Sequence, residues 1–207
     1  MNDVNSPNFW RSVYQQGKTG WDLGGYTPTF CRLLDEGEHS PGKMIVLGAG
    51  RGYDARLFSR RGFTVTAVDF ASEAVRDMHA LAEKDAPVSI VHADIFNLPP
   101  FFNGSFDYVL EYTCFCAIDP ARRGDYAEVV AGLLKPGGRF VGLAFPIGSY
   151  DGGPPFAVDP DQLVDLLAGH GLKLVRREMP PDSIESRSGR EELIIMQKMP
   201  SAAAGPA

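Results

Sequence analysis

The chain has 207 residues, 44% hydrophobic and 22% charged, the proportions of one soluble globular domain with length for a sizeable core. Its formal charge of −6 speaks against nucleic acid, which needs a basic face, and no apolar run reaches the ~18 residues of a membrane span. Three cysteines, Cys31, Cys114 and Cys116, are too few for a disulfide scaffold and have no matching Cys/His pair for a metal, so a reducing cytoplasm and no metal are expected.

The first stretch, MNDVNSPNFW, has neither the basic start nor the apolar core of a signal peptide. Behind Ser6 and Pro7, the spacing of Phe9, Trp10, Val13 and Tyr14 predicts a helix over about 7–16. Gly17-Lys18-Thr19 looks like the end of a phosphate loop, but position 12 is Ser and no strand precedes it, so that reading fails. A helix over 28–36 would bury Phe30, Leu33 and Leu34, and 37–42 is a linker.

The apolar run 43–47 reads as a strand. It is followed by Gly48, Gly50 and Gly52, a helix over 53–61 and a second strand over 63–69 that ends on Asp69. A helix over 71–84, with Ala74, Val75, Met78 and Leu81 at helical spacing, leads to a strand over 88–92. Strands over 106–111 and 139–144 flank a helix over 120–134 that starts behind Asp119-Pro120, with Lys135-Pro136-Gly137-Gly138 as a turn. A helix over 160–169 precedes strands over 172–178 and 192–197, and the tail 199–207 reads as disordered. The fold class is α/β: a doubly wound, mostly parallel seven-stranded sheet. Only a loop joins the last two strands, so the final strand is expected to run antiparallel.

The strand, glycine turn, helix, strand and acid place a nucleoside-bearing cofactor at the strand ends, with Asp69 at a spacing that suits ribose hydroxyls. The dinucleotide fingerprint is G-x-G-x-x-G, whereas here Tyr53 stands at the third glycine. The tighter G-x-G-x-G suits a cofactor without pyrophosphate, such as S-adenosylmethionine.

From about Asn8 to Lys198 the chain resembles the class I methyltransferases of the thiopurine and thiol/halide methyltransferase family, closest to the thiol/halide members. The resemblance rests on Trp10, the run 17–22 (GKTGWD), 47–54 (LGAGRGYD), Val68-Asp69, 94–99 (DIFNLP), 115–120 (FCAIDP), 152–156 (GGPPF) and 184–187 (IESR). It implies an S-adenosylmethionine site in which Gly48, Gly50 and Gly52 admit the methionine part. Asp69 holds the ribose, Phe70 and Ile95 lie beside the adenine, Asp94 meets its amino group, and Glu111 closes the fourth strand. It implies an N-terminal lid, residues 1–26, that puts Trp10, Tyr14 and Trp21 over the sulfonium, with the methyltransferase domain over 27–198. Substrate contacts fall to Trp10, Tyr112, Pro155 and Arg187, with Tyr112 as the catalytic candidate. The thiopurine members carry arginine at the position of Tyr112, whereas the thiol/halide members carry tyrosine.

The function this implies is methyl transfer by in-line displacement to a small soft nucleophile, a thiol first, then sulfide or halide. Such acceptors arrive as anions and need no strong base, which fits a sequence without a convincing His–Asp pair; His92 reads as a core residue, and His39, His79 and His170 as peripheral. The alternatives are an O- or N-methyltransferase, an NAD-dependent oxidoreductase and a non-catalytic cofactor sensor. The expected partner is a small molecule, without nucleic acid or membrane, and the chain is expected to be a monomer or weak dimer.

Overall fold

The computed structural model describes residues 3–148 and 152–200; most of the expected disordered tail lies outside them. Seven strands form one sheet in the order β3-β2-β1-β4-β5-β7-β6. Strands β1 (Lys43–Leu47), β2 (Thr64–Asp69), β3 (Val88–His92), β4 (Phe106–Tyr112) and β5 (Leu134–Ala144) run parallel. Strand β7 (Glu192–Lys198) is inserted antiparallel between β5 and β6 (Leu172–Glu178), as the loop-only connection requires.

The central strands are buried on both faces, so their apolar runs are continuous. Phe30 and Leu33 of α2 (Pro28–Glu36) and Leu57 and Phe58 of α3 (Tyr53–Arg60) cover one face. Tyr126, Val130 and Leu133 of α5 (Arg123–Leu133) and Leu163 and Leu167 of α6 (Pro160–Gly169) cover the other. In β4 the neighbours Val109 and Leu110 point into opposite cores, the two-residue alternation of a strand.

Helix α1 (Pro7–Gln15) is capped by Ser6, whose hydroxyl accepts the Asn8 N–H. It packs on α4 (Ser72–Ala80), where Trp10 meets Ala71 and Ala74 and Gln15 donates to Glu73 at 3.1 Å. Thr27, at the start of α2, donates its N–H and its hydroxyl to Asp54 at 2.8 and 2.7 Å. This places Asp54 as a tie between α2 and α3.

Three expectations need correction. Helix α4 ends at Ala80 rather than near 84, because the chain turns back and Glu83 bridges to Ala86, leaving Leu81 exposed. The Lys135–Gly138 turn is absorbed into β5: Leu134 pairs with Phe106, and the register then shifts before Tyr108 pairs with Arg139. His92 lies exposed at the end of β3 with its Nε2 3.1 Å from the Phe70 carbonyl, whereas His39 is buried against Tyr108.

Candidate active site

The sheet order reverses between β1 and β4, and their C-terminal ends lie side by side, with Leu47 paired to Glu111. A crevice forms at such a reversal. Here it is a cavity of about 520 Å³.

Its floor is the glycine turn. Gly48, Gly50 and Gly52 all have positive φ, 60°, 56° and 70°, a region where a side chain costs energy. A Cβ on Gly48 would sit 2.8 Å from the Cys114 sulfur, whereas one on Gly50 would enter open space, with the Tyr14 hydroxyl at 3.6 Å and the Trp21 Nε1 at 3.9 Å. Gly50 is therefore a cradle into which a ligand can descend. Gly52 lies outside the cavity, caps α3 and packs on Met78. In this position it starts the helix.

One wall comes from the ends of β2 and β3. Asp69, Phe70, Asp94 and Ile95 all line the cavity, as expected. Asp69 accepts the Gly50 N–H and the Ala71 N–H, each at 2.9 Å, one on each carboxylate oxygen. Its burial pushes the carboxyl up to about 6, against the lowering effect of those amides. Each oxygen keeps a lone pair for further donors. Asp94 accepts from the Phe96 N–H and the Asn97 side chain.

An aromatic set adjoins that wall. Trp10, Tyr14 and Trp21 line the cavity, and the Trp21 ring stands edge-on to the other two at 5.6 and 5.5 Å. The Trp10 Nε1 donates to the Val4 carbonyl, and Asp22 is paired with Arg51 of the glycine turn, which also reaches Asp77 at 3.2 Å. The aromatic segment is thereby tied to the turn it covers.

The remaining candidates divide. Pro155 lines the cavity, on a loop pinned by Phe156 N–H to the Cys116 carbonyl at 2.7 Å. Glu111 does not line it. One Glu111 oxygen accepts the Cys114 and Phe115 N–H groups at 3.0 and 2.9 Å, the side chain is 1% exposed, and burial pushes its carboxyl up to about 7. The expected cofactor contact by Glu111 gives way to shaping the loop after β4. That loop contains Thr113 at φ 62°, a β-branched residue in left-handed backbone. Such strain persists where its surroundings over-determine it.

Tyr112 and Arg187 also lie outside the large cavity; Tyr112 lines a smaller one of about 70 Å³ beside the glycine turn. Its hydroxyl donates to Glu191 at 2.7 Å, and burial together with the Glu191 charge raises the phenol above its ordinary range. Arg187 is 4% exposed. Its guanidinium carbon stands over the rings of Tyr112 and Phe145 at 4.8 and 4.7 Å, one nitrogen donates to the Trp21 carbonyl at 2.8 Å, and Nη1 has no partner among the described residues.

Glu191, Thr113 and Phe145 did not stand out in the sequence. The ESRSGREE run gives Glu191 the look of a solvated charge, and only its burial against Tyr112 sets it apart. Cys114 and Cys116 are buried cavity-wall residues whose thiols burial pushes up, so they stay protonated.

The large cavity is thus lined by two carboxylates, Asp69 and Asp94, by an aromatic set over Gly50, and by Phe145, Pro146, Pro155 and Arg190. No histidine lines it, and no His/Cys/Asp/Glu cluster could hold a metal among the described residues.

Comparison with known proteins agrees with this geometry. The family model described as "Thiopurine S-methyltransferase (TPMT)" matches residues 5–199. Thiocyanate methyltransferase 1 of Brassica oleracea is 33% identical over 89% of this chain and 82% of its own. Probable thiol methyltransferase 2 of Arabidopsis thaliana is 31% identical over 91% and 84%. A crystal structure of Burkholderia thailandensis 1,6-didemethyltoxoflavin-N1-methyltransferase with bound S-adenosylhomocysteine superposes with a TM-score of 0.71 at 24% identity, over 94% of this chain and 87% of that one; that likeness concerns the fold.

Proposed function

We infer the acceptor from one premise: this chain belongs to the thiopurine S-methyltransferase family and is an S-adenosylmethionine-dependent methyltransferase. We propose that its acceptor is a small soft anion, a thiolate or hydrosulfide first, with thiocyanate and halides in the same class.

The cavity suits the cofactor. Gly50 leaves a cradle open under the aromatic rings, Asp69 keeps lone pairs for ribose hydroxyls, and Phe70, Asp94 and Ile95 flank the space for an adenine. When bound, S-adenosylmethionine supplies a methyl group on a cationic sulfur, open to displacement in line. Trp10, Tyr14 and Trp21 offer ring faces and edges around that cation and exclude water; a face contact contributes ~0.5–2 kcal/mol.

The observation that carries the acceptor class is the charge of the site. Its two lining carboxylates are engaged by hydrogen bonds, whereas Arg190 lines it beside Phe145, whose ring Arg187 also meets. That arrangement has no group placed to remove a proton and two placed to attract an anion. Arg187 draws the nucleophile in its charged form. Tyr112 acts by holding Arg187 on its ring face, with its hydroxyl fixed on Glu191, and does not transfer a proton. Pro155 closes the acceptor end.

No helix is long and apolar enough to cross a membrane among the described residues, and the three unpaired cysteines suit a reducing cytoplasm. The same reading takes the chain to act on small molecules as a monomer or weak dimer.

The test is to incubate the protein with S-adenosylmethionine and hydrosulfide, thiocyanate, iodide, small thiols and a thiopurine in turn, measuring S-adenosylhomocysteine release. Thiols and hydrosulfide should turn over, with kcat/KM per concentration of nucleophilic anion constant from about pH 7 to 9, because no enzyme base titrates. Tight S-adenosylhomocysteine binding with no turnover of any acceptor would overturn the reading. A bell-shaped profile would favour an O- or N-methyltransferase.

A further inference from the structure

We propose that Arg190 makes the enzyme selective for thiols that carry a second negative charge, a carboxylate a few bonds from the sulfur. The inference rests on the S-methylation reading and names the acceptor more closely.

Two guanidinium groups converge on one ring. The carbon of Arg187 lies 4.7 Å from the Phe145 centroid, and that of Arg190 lies 5.8 Å from the same centroid. Phe145 and Arg190 both line the large cavity. Arg187 is the inner cation, buried behind Phe145 and Trp21. Arg190 is the outer one, with an exposed side chain.

The outer cation is held in place by its backbone. The Arg190 N–H donates to the Arg187 carbonyl at 2.8 Å, and its own carbonyl accepts the Ile147 N–H at 2.9 Å. Both ends of the cavity lip, the 180s loop and the segment after β5, are joined at this residue.

Neither guanidinium has a carboxylate partner among the described residues. The neighbouring Glu191 accepts from Tyr112, on whose ring Arg187 stands. Elsewhere Arg32, Arg60, Arg176 and Arg177 each meet at least two carboxylates. Lys18 also lines the cavity without an ion pair among the described residues. On a chain of formal charge −6, Arg187 and Arg190 are two cations beside one ring with no ion pair among the described residues.

Like charges that share one ring repel, and an anion between them relieves the repulsion. A single-charge acceptor such as thiocyanate serves only one of the two. A mercapto acid serves both: its thiolate goes inward toward the methyl group and Arg187, and its carboxylate stays at the lip with Arg190. A thiol bearing an amine would bring a third cation to the same place.

The experiment compares kcat/KM, per thiolate concentration, for mercaptoacetate, mercaptoethanol and cysteamine, which differ in terminal charge. The full chain should prefer mercaptoacetate over mercaptoethanol about three- to fivefold, the range of an exposed ion pair, and should disfavour cysteamine. Arg190→Ala should bring the mercaptoacetate-to-mercaptoethanol ratio to near one, Arg190→Lys should keep the preference, and Arg190→Glu should turn it toward cysteamine. Unchanged S-adenosylhomocysteine affinity, measured by calorimetry, identifies variants whose cofactor site is intact. Equal use of the three thiols by the parent chain, or a preference that survives Arg190→Glu, overturns the proposal while S-methylation stands. No turnover of any thiol or of hydrosulfide overturns both.

Discussion

Gly48 and Gly50 have nearly the same backbone, φ 60° and 56°, but different surroundings, and substituting each with alanine separates stability from binding. Either alanine incurs ~1–2 kcal/mol for left-handed backbone, offset by ~0.4–1 kcal/mol from a less flexible unfolded chain. Gly48→Ala adds a collision. Its Cβ would lie 2.8 Å from the Cys114 sulfur and 3.0 Å from the Cys114 Cβ. Cys114 is 9% exposed and anchored through its N–H to Glu111, so it has little room to yield. Overpacking of that kind costs ~1–3 kcal/mol. The sums place Gly48→Ala about 1–5 kcal/mol below the parent and Gly50→Ala about 0–1.6 kcal/mol below it. Urea unfolding with unchanged slope reads the difference; by heat, each kcal/mol corresponds to about 2–4 °C. Gly50→Ala should instead weaken S-adenosylhomocysteine binding, because its methyl fills the cradle beneath Tyr14 and Trp21. Adding Cys114→Ala to Gly48→Ala removes the sulfur overlap but not the φ strain, so the pair should couple by roughly 0.5–2 kcal/mol. Gly48→Ala as stable as Gly50→Ala, or strict additivity with Cys114→Ala, would refute the reasoning.

Trp21→Ala should raise the dissociation constant of S-adenosylmethionine more than that of S-adenosylhomocysteine, by up to about tenfold, because only the former carries the sulfonium charge; equal losses in paired calorimetry would point to packing alone. Arg187→Met should lower kcat/KM for thiocyanate and hydrosulfide about tenfold or more, the scale of a lost charge-assisted bond. Arg187→Lys should recover part of it; an unchanged kcat/KM would remove Arg187 from the acceptor site. Glu111 gives a pH signature. Its carboxyl is raised from 4.5 to about 7 by burial, so from 4.5 to 7 the unfolded chain ionises while the folded one holds its proton. Its contribution to stability is therefore present below 4.5 and is lost as pH rises to 7. Glu111→Gln keeps an acceptor for the Cys114 and Phe115 amides and should flatten that part of the Tm–pH curve, gaining on the order of 2 kcal/mol at pH 8. Asp69, raised to about 6, contributes the same trend in both proteins. Parallel curves would count against a buried, protonated Glu111.

Much of the site was legible because its chemistry is local. Gly48, Gly50, Asp69, Phe70, Asp94 and Ile95 follow directly on strand ends, and a parallel sheet brings successive strand ends to one edge, so reading the strands sufficed to gather them. Trp10, Tyr14 and Trp21 were legible as an aromatic set, and the structure brings their rings together over the glycine turn. Glu111 lies outside the large cavity for the converse reason. A carboxylate at a strand end resembles a ligand contact, yet it turns back on the Cys114 and Phe115 amides, a choice set by the chain's own loop. Tyr112 and Arg187 were singled out in the sequence, but their arrangement was not legible: the phenol is held by Glu191 and the guanidinium lies between two rings.

By itself the sequence determined the order and kind of the elements, the antiparallel last strand and the glycine turn that floors the cavity. Hydrophobic period, turn residues and connection length act over a few residues and are written in line. Only the tertiary structure decided what stands opposite Gly50 across the cavity. It brought Arg187 against the Trp21 carbonyl from 166 positions away and gathered Phe145, Arg187 and Arg190 into one cationic lip. Those contacts are set by how β7 inserts between β5 and β6 and carries the 180s loop back over the β5 end, and no local pattern encodes a distance between such segments.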